Sequence, residues 1–287
     1  MRAPTCLLSL MLAVIAPRVA VAEINMADSV EWMTADADLV VRGQVAAVAT
    51  RTAPGQAGWY DVTVQVAEAL KGAPVAQVIV AIPQGAADPL TWQARHAELL
   101  LFLVDGKRRV DDDRAYGQAA LALRRGERAA VVLDGATVGP LFDRRFTVLD
   151  QRAAALAAVR AAATSTATRA HQIDLPVDAP AFRALYGGSA VWFYLPVDAE
   201  LEKLARSWIA SKDVWRREQG VAALAHFPTA ANRRLLARLL ADPGFATISG
   251  TGQPLVRRYL VRQQAHQVLA RWGVRHATPV IDQPFTP

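Results

Sequence analysis

The sequence predicts an α+β protein with more than one domain, in which a small antiparallel β-barrel or sandwich is followed by a short α-solenoid. Residues 38–146 show the two-residue periodicity of strands, with turn-forming residues between apolar runs, whereas the chain beyond residue 151 shows helical periodicity. Apolar residues make up 53% of the chain and charged residues 20%. This composition supplies a hydrophobic core and is unlike that of a disordered chain.

The first 22 residues have the three parts of a secretory signal peptide. Arg2 is basic, residues 6–16 are apolar, and Ala20 and Ala22 place small residues where signal peptidase reads them. The apolar run is too short for a membrane anchor, which needs about 18 residues. We therefore expect cleavage after Ala22 and export to the periplasm or beyond it. Cys6 is the single cysteine, so the exported chain would have no disulfide and no thiol nucleophile.

Residues 23–150 are predicted to form the β domain. Residues 59–66 (WYDVTVQV) alternate in polarity, as a strand with one buried face does. Residues 98–104 (ELLLFLV) are apolar on both faces, which is typical of a strand covered on both sides. Asp-Gly pairs at 105–106 and 134–135 suit the positive backbone angles of two-residue hairpins. Short strands joined by tight turns indicate a small antiparallel barrel or sandwich.

Three segments of this domain resemble the OB-like barrel of netrin-type and metalloproteinase-inhibitor-type domains. They are residues 29–45 (SVEWMTADADLVVRGQV), 60–72 (YDVTVQVAEALKG) and 98–106 (ELLLFLVDG). The resemblance implies an OB-like fold in an exported bacterial protein, over about residues 23–150. The inhibitors of that family block a catalytic metal with an amino-terminal cysteine, which the exported chain lacks. No inhibitory residue therefore carries over.

Residues 151–180 are predicted as a helix and a linker. The alanine-rich residues 152–163 favour a helix, and the polar, proline-bearing residues 164–180 favour a connecting segment. Beyond it, Asp198 and Thr229 stand where they would cap the first turns of two further helices.

Residues 181–276 are predicted to form a helical-repeat domain, and residues 277–287 a tail. Residues 216–227 (RREQGVAALAHF) and 261–272 (VRQQAHQVLARW) align at a spacing of 45 residues. A small, an aliphatic and an aromatic residue recur in both at helical spacing, as stacked helices require. The stretch 196–274 resembles HEAT-type repeats. Since these repeats are scaffolds without catalytic residues, the resemblance implies recognition rather than catalysis.

Chemical motifs in the sequence lack the residues or spacing that their chemistry requires. Residues 111–117 (DDDRAYG) resemble a calcium loop, but Ala115 occupies a ligand position. Residues 186–192 (YGGSAVW) resemble a nucleophile elbow, but Val191 replaces the closing glycine. His266 is interpreted as an ordinary helix residue. The histidines lack the spacing of zinc ligands; they are His96, His171, His226, His266 and His276. We therefore predict no catalytic residue, no metal ion and no cofactor.

Charge is unevenly distributed along the chain. Residues 181–287 contain 14 basic and 7 acidic residues, whereas residues 23–180 contain 16 and 19. The basic helical part predicts an acidic partner, a protein or an anionic envelope component; export disfavours nucleic acid. An alternative explanation of the arginine excess is genome composition. The arginines predicted to bind are Arg216, Arg233, Arg234, Arg257, Arg258 and Arg262.

Two functions remain open from the sequence. The favoured one is an exported, non-catalytic binding or scaffold protein that recognises its partner through the basic helical-repeat face. The alternative is a periplasmic hydrolase whose polar residues converge only in three dimensions. The sequence predicts no transmembrane segment after signal cleavage.

Overall fold

The computed structural model of the protein describes seven stretches of the chain, which are residues 25–52, 58–85, 87–105, 121–123, 129–175, 191–248 and 255–285. Within these ranges the chain forms an α+β protein, in which a largely antiparallel sheet region is followed by a mixed region of helices and strands. In chain order the elements are β1 (Asn25–Asp28), α1 (Val30–Asp36), β2 (Leu39–Arg51), β3 (Trp59–Lys71), β4 (Gln77–Pro83), α2 (Pro89–Ala94), β5 (Glu98–Asp105), β6 (Leu121–Leu123), β7 (Ala130–Asp134), β8 (Thr137–Phe142), β9 (Val148–Gln151), α3 (Arg152–Ala162), β10 (Ala170–Leu175), β11 (Val191–Pro196), α4 (Ala199–Ile209), α5 (Val214–Leu224), α6 (Ala230–Leu239), β12 (Ala246–Ile248), β13 (Val256–Arg258), α7 (Leu260–Arg271) and β14 (Asp282–Pro284).

The first sheet contains eight strands in the order β2-β3-β4-β6-β5-β7-β8-β9, and β5 also pairs with β2. Its pairings are antiparallel except that β4 and β6 run parallel. The alternation predicted for β3 is confirmed at its centre, since Val62 and Val64 are buried while Thr63 and Gln65 are not; Trp59, on the opposite face, is also buried. The apolar faces predicted for β5 are both buried, from Leu99 to Val104. Gly135 has a φ of +59° in the β7–β8 hairpin, as the Asp-Gly pair predicts.

The core of this region lies between the sheet and helices α1 and α3. Lys71, at the end of β3, fastens α1 to the sheet. Its Nζ donates to the carbonyl oxygens of Thr34, Ala35 and Ala37 at 2.7–2.8 Å. These carbonyls lie at the carboxyl end of α1, where helical acceptors are unsatisfied and a positive charge is favourable. The lysine therefore caps the helix while it holds the helix to the sheet.

The second region is built on the three-stranded sheet β1-β11-β10. The amino-terminal strand β1 pairs in parallel with β11, and β10 pairs antiparallel with β11. The segment predicted as helix and linker therefore contains α3 and, unexpectedly, an edge of this sheet. β10 was not predicted because three of the six residues in its sequence, AHQIDL, are polar and its apolar residues do not alternate regularly with them.

Four helices, α4 to α7, cover this sheet and share its core. The two predicted caps are confirmed: Asp198 accepts from the N–H of Leu201, and Thr229 accepts from the N–H of Asn232. Helix α4 packs on α5, and α7 packs on both α5 and α6. At Gly220 a Cβ atom would lie 2.6 Å from the Ala205 carbonyl oxygen. Helices α4 and α5 approach this closely because α5 has no side chain there.

The third sheet is small and has the strand order β12-β13-β14. Strands β12 and β13 lie between α6 and α7, and β14 falls in the segment predicted as a tail. Each of these strands has three residues, which is too short for an alternating pattern to be recognised. Among the described residues, no helix combines the length and the apolar character needed to cross a bilayer.

Candidate functional site: a cationic cleft with an aromatic floor

A cleft of about 750 Å³ lies between the β8–β9 turn and helices α4 and α5. The turn contributes Arg144, Arg145 and Phe146 to its lining. The helices and the residues between them contribute Trp208 and Arg216, together with further charged, polar and apolar side chains. The volume is in the range of small-molecule and cofactor sites, about 300–1,000 Å³.

The β8–β9 turn is held in an unusual backbone conformation. Phe146 has a φ of +67°, a left-handed value that is rare for a bulky side chain and costs on the order of 1–3 kcal/mol. The turn is fixed by Asp143, whose Oδ1 accepts from the N–H groups of Arg145 and Thr147, each at 2.8 Å. The N–H of Phe146 donates to the Asp143 carbonyl oxygen at 3.0 Å. Strained, well-fixed backbone of this kind is a feature of functional sites.

The ring of Phe146 forms the floor of the cleft with Trp208. The two rings are stacked, with centroids 6.0 Å apart and an interplanar angle of 21°. Phe146 also contacts Phe193 of β11 edge-on, at 5.2 Å. The guanidinium carbon of Arg216 lies 5.2 Å from the centroid of Phe146 and 5.6 Å from that of Trp208. Arg216 is therefore held by cation–π contacts with two rings.

Two cations of the cleft are neutralised by neighbouring acids. Arg144 donates two hydrogen bonds to Asp198, at 2.9 and 3.1 Å, and lies 3.4 Å from Glu31. Lys203 pairs with Glu200 at 2.5 Å. Arg144 thus ties the β8–β9 turn to α1 and to the cap of α4, and it is committed to a structural role.

The other two cations, Arg145 and Arg216, have no carboxylate within ion-pair distance among the described residues. A guanidinium whose flat face rests on aromatic rings keeps its N–H groups, which point along the edge, available to a ligand. This edge matches the two oxygens of a carboxylate or a phosphate. The cleft can therefore hold an anionic group beside an apolar surface.

The predicted arginines lie in different environments. Arg216 lines the cleft, and Arg233 and Arg234 are exposed on α6. Arg258 forms two hydrogen bonds with Asp282, at 2.8 and 3.1 Å. Its charge is therefore matched within the chain.

Arg257 and Arg262 also have partners within the chain. The guanidinium of Arg257 lies between the rings of Phe245 and Phe285, at 5.0 and 5.3 Å. Arg262 donates to the Asp242 carbonyl oxygen at 2.6 Å and lies 3.8 Å from the ring centroid of Tyr259. These contacts place three of the predicted arginines in or beside the sheet β12-β13-β14, namely Arg257, Arg258 and Arg262. Arg216 is the predicted arginine that the structure places in the cleft.

The sequence did not single out Arg145, Phe146 or Trp208. The available signal was the run Asp-Arg-Arg-Phe between β8 and β9, which places two cations and an aromatic ring in one tight turn. The partner of that turn is a helix face more than 50 residues away in the chain, and no local pattern identifies it.

Other candidates from the sequence have different outcomes. The ring of His266 contacts that of His276, with centroids 4.8 Å apart, so His266 has a partner that the sequence did not indicate. His171 and His226 form a second pair. Residues 111–117 and 186–190 lie outside the described residues. Where the chain is described, no three histidine, cysteine, aspartate or glutamate side chains converge as metal ligands.

Glu218 on α5 is a carboxyl group with an altered proton affinity. Its burial and the negative charge of Asp174 on β10 raise its pKa from 4.5 to about 7, against an opposing hydrogen bond from Gln219. The folded chain thus holds this proton more tightly than the unfolded chain. Stability from this group is complete below pH 4.5 and is lost as the pH rises through 7.

Replacing Glu218 with glutamine is therefore expected to raise the free energy of unfolding at pH 8 by up to about 3 kcal/mol, with little change at pH 4.5. Urea denaturation at the two pH values measures the difference. Glu200→Gln is the matched control, because Glu200 is exposed and its pKa is lowered by Lys203; it should give no gain at pH 8. If Glu218→Gln is no more stable than the unaltered chain at pH 8, Glu218 ionises freely in the fold.

In comparisons with known proteins, no family model, no curated protein and no solved structure matches the chain.

Proposed function

We propose that the protein is an exported, non-catalytic binding protein that holds an acidic partner in the cleft between the β8–β9 turn and helices α4 and α5. The observation that carries this proposal is the pair Arg145 and Arg216, which line the cleft beside an aromatic floor and have no carboxylate partner among the described residues. The partner is a protein or an envelope component that presents a carboxylate or a phosphate group.

The proposed architecture is an OB-like barrel followed by HEAT-like helix pairs. Strand order supports the barrel, because the sequence of pairings β2-β3-β4-β6-β5 returns to β2 and includes one parallel pair, β4–β6. OB-folds are five-stranded Greek-key barrels. The packing of α5 on α7 supports the repeat, since these helices carry the two aligned segments, and Gly220 and Ala265 occupy equivalent buried positions.

The side chains of the cleft favour binding over hydrolysis. A hydrolase of the serine type needs a hydroxyl beside a general base. Ser207 Oγ donates to the Leu204 carbonyl oxygen, and Ser211 Oγ accepts from the N–H of Asp213. Glu200 is bound to Lys203. In the described lining of the cleft, neither hydroxyl is therefore paired with a base.

The double substitution Arg145→Gln/Arg216→Gln tests the site. Immobilised poly-L-glutamate serves as the probe, since it presents carboxylates without a specific sequence. We expect the double variant to bind at least about tenfold more weakly at low salt, because hydrogen bonds to charged groups contribute about 1.5–3 kcal/mol each. Binding by the unaltered protein should fall as salt shortens the Debye length to about 3 Å at 1 M.

The control for this experiment is Arg233→Gln/Arg234→Gln, which removes the same charge from the exposed face of α6. It should bind the probe nearly as well as the unaltered protein. Equal losses in the two double variants would show that the probe responds to net charge alone, and the cleft would no longer be supported as the binding site.

A further inference from the structure

Two histidines join strand β10 to the end of helix α5. His171 Nδ1 and His226 Nε2 are 3.2 Å apart, and the two rings meet edge to face at 77°. The His171 residue is buried, with 7% of its surface exposed. Its other nitrogen, Nε2, is enclosed and has no hydrogen-bond partner within the described parts of the chain. The contact therefore uses one nitrogen of each ring. The second nitrogen of His171 is enclosed, which limits where that ring can carry a proton.

Burial determines which ring donates the hydrogen bond. If His171 carried its proton on Nε2, a buried N–H would have no acceptor, which is costly. The favourable arrangement places the proton on Nδ1 of His171, which donates to the unprotonated Nε2 of His226. A proton added to Nε2 of His226 removes that acceptor. A proton added to His171 places a charge on its enclosed Nε2.

The surroundings of the pair resist both protonation events. Burial and the neighbouring His226 lower the pKa of His171 to about 4. Burial lowers the pKa of His226, and the positive charges of Arg169, before β10, and Arg271, at the end of α7, lower it further. Two carboxyl groups lie on the same two elements, and the charge of Asp174 on β10 raises the pKa of Glu218 on α5; neither carboxyl group is among the causes that lower the pKa of the two histidines.

We propose that the His171–His226 contact is an acid-sensitive latch, which holds β10 against the carboxyl end of α5 at neutral pH and opens when the pair takes up a proton. The latch is independent of the cleft. The element it releases is β10, which has β11 as its partner in the three-stranded sheet. The turn after α5, residues 225–227, is released with it.

The consequence for stability has a defined sign. An unfolded histidine takes up a proton near pH 6.5, whereas His171 in the fold does so near pH 4. Between pH 6.5 and pH 4 the open form therefore binds more protons than the closed form. The closed latch loses stability as the pH falls through this range.

Hydrogen exchange on the full chain tests the latch directly. Between pH 7 and pH 4.5, after correction for intrinsic rates, amide exchange in residues 170–175 and 225–227 should accelerate at least about tenfold. His226→Gln should show a smaller acceleration than the unaltered protein, because the glutamine oxygen accepts from His171 Nδ1–H and one of the two titrating rings is removed, while His171 still titrates. His96→Asn, at an exposed histidine with a φ of +52° that asparagine tolerates, should behave like the unaltered protein.

A measurement on the unaltered protein keeps the proposal testable if His226→Gln does not fold. Nitrogen-15 NMR should show the proton of His171 on Nδ1 at pH 7, and its ring should remain neutral until about pH 4. Protonation of His171 near pH 6.5, a proton on Nε2, or equal acceleration of exchange in the unaltered protein and in His226→Gln would each overturn the latch.

Discussion

Replacing Arg217 with leucine is expected to lower the free energy of unfolding by about 3–5 kcal/mol. Arg217 forms two hydrogen bonds with Asp242, at 2.9 and 3.2 Å, and two more with the carbonyl oxygens of Ser211 and Lys212. The Arg217 and Asp242 side chains are only 13% and 9% exposed. The substitution leaves a buried carboxylate without its counter-charge, which is far more costly than the loss of a surface ion pair.

Urea denaturation at pH 7 measures the effect, with Arg234→Leu as the control. Arg234 is the same residue type on an exposed helix face, and its replacement should change stability by no more than about 0.5 kcal/mol. The double variant Arg217→Leu/Asp242→Asn should recover part of the loss, because the buried charge is removed with its partner. Similar small losses for Arg217→Leu and Arg234→Leu would mean that the ion pair is solvated.

Leu269→Ala is expected to lower the free energy of unfolding by about 2–5 kcal/mol. Leu269 on α7 has no exposed surface and lies in the second core with Leu224 and Leu236. Truncation removes buried methyl groups and leaves a cavity, because the close-packed neighbours relax only in part. Leu224→Ala, at the position that aligns with Leu269, should show a loss in the same range.

The control for these core variants is Leu90→Ala on α2, where the leucine is 49% exposed. This substitution should cost less than half as much as Leu269→Ala, because much less apolar area returns to water. Denaturation curves recorded under identical conditions compare the variants. Equal losses at Leu90 and Leu269 would contradict the packing of α7 on α5 and α6.

Features that depend on neighbouring residues could be predicted from the sequence. The alternation at the centre of β3 and the burial of both faces of β5 could be predicted, because side-chain direction in a strand changes with every residue. The caps Asp198 and Thr229 were readable because a cap bonds to a backbone group two or three residues away. The Asp-Gly turn before β8 follows from the positive φ that glycine tolerates.

Features that depend on distant residues could not be predicted in this way. The pairing of β1 with β11 joins Asn25 to Val191, which are far apart in the chain, and nothing in the four residues of β1 identifies that partner. The cleft could not be predicted for the same reason, since Phe146 contacts Trp208 only when the β8–β9 turn packs on α4. Charge predicted Arg216 as a binding residue, but charge alone did not separate it from Arg258, whose guanidinium is matched by Asp282.

The pairing of β1 with β11 also determines the order in which the chain can fold. Strand β1 is synthesised first among the described elements, but its hydrogen-bonding partner, Val191–Pro196, follows only after the whole of the eight-stranded sheet. Until then its backbone groups have no strand to pair with, and closing so long a loop carries an entropic cost. The amino-terminal region therefore cannot complete its backbone pairing before β11 is synthesised, and the docking of β1, which brings Ala27 into the second core, comes late in synthesis.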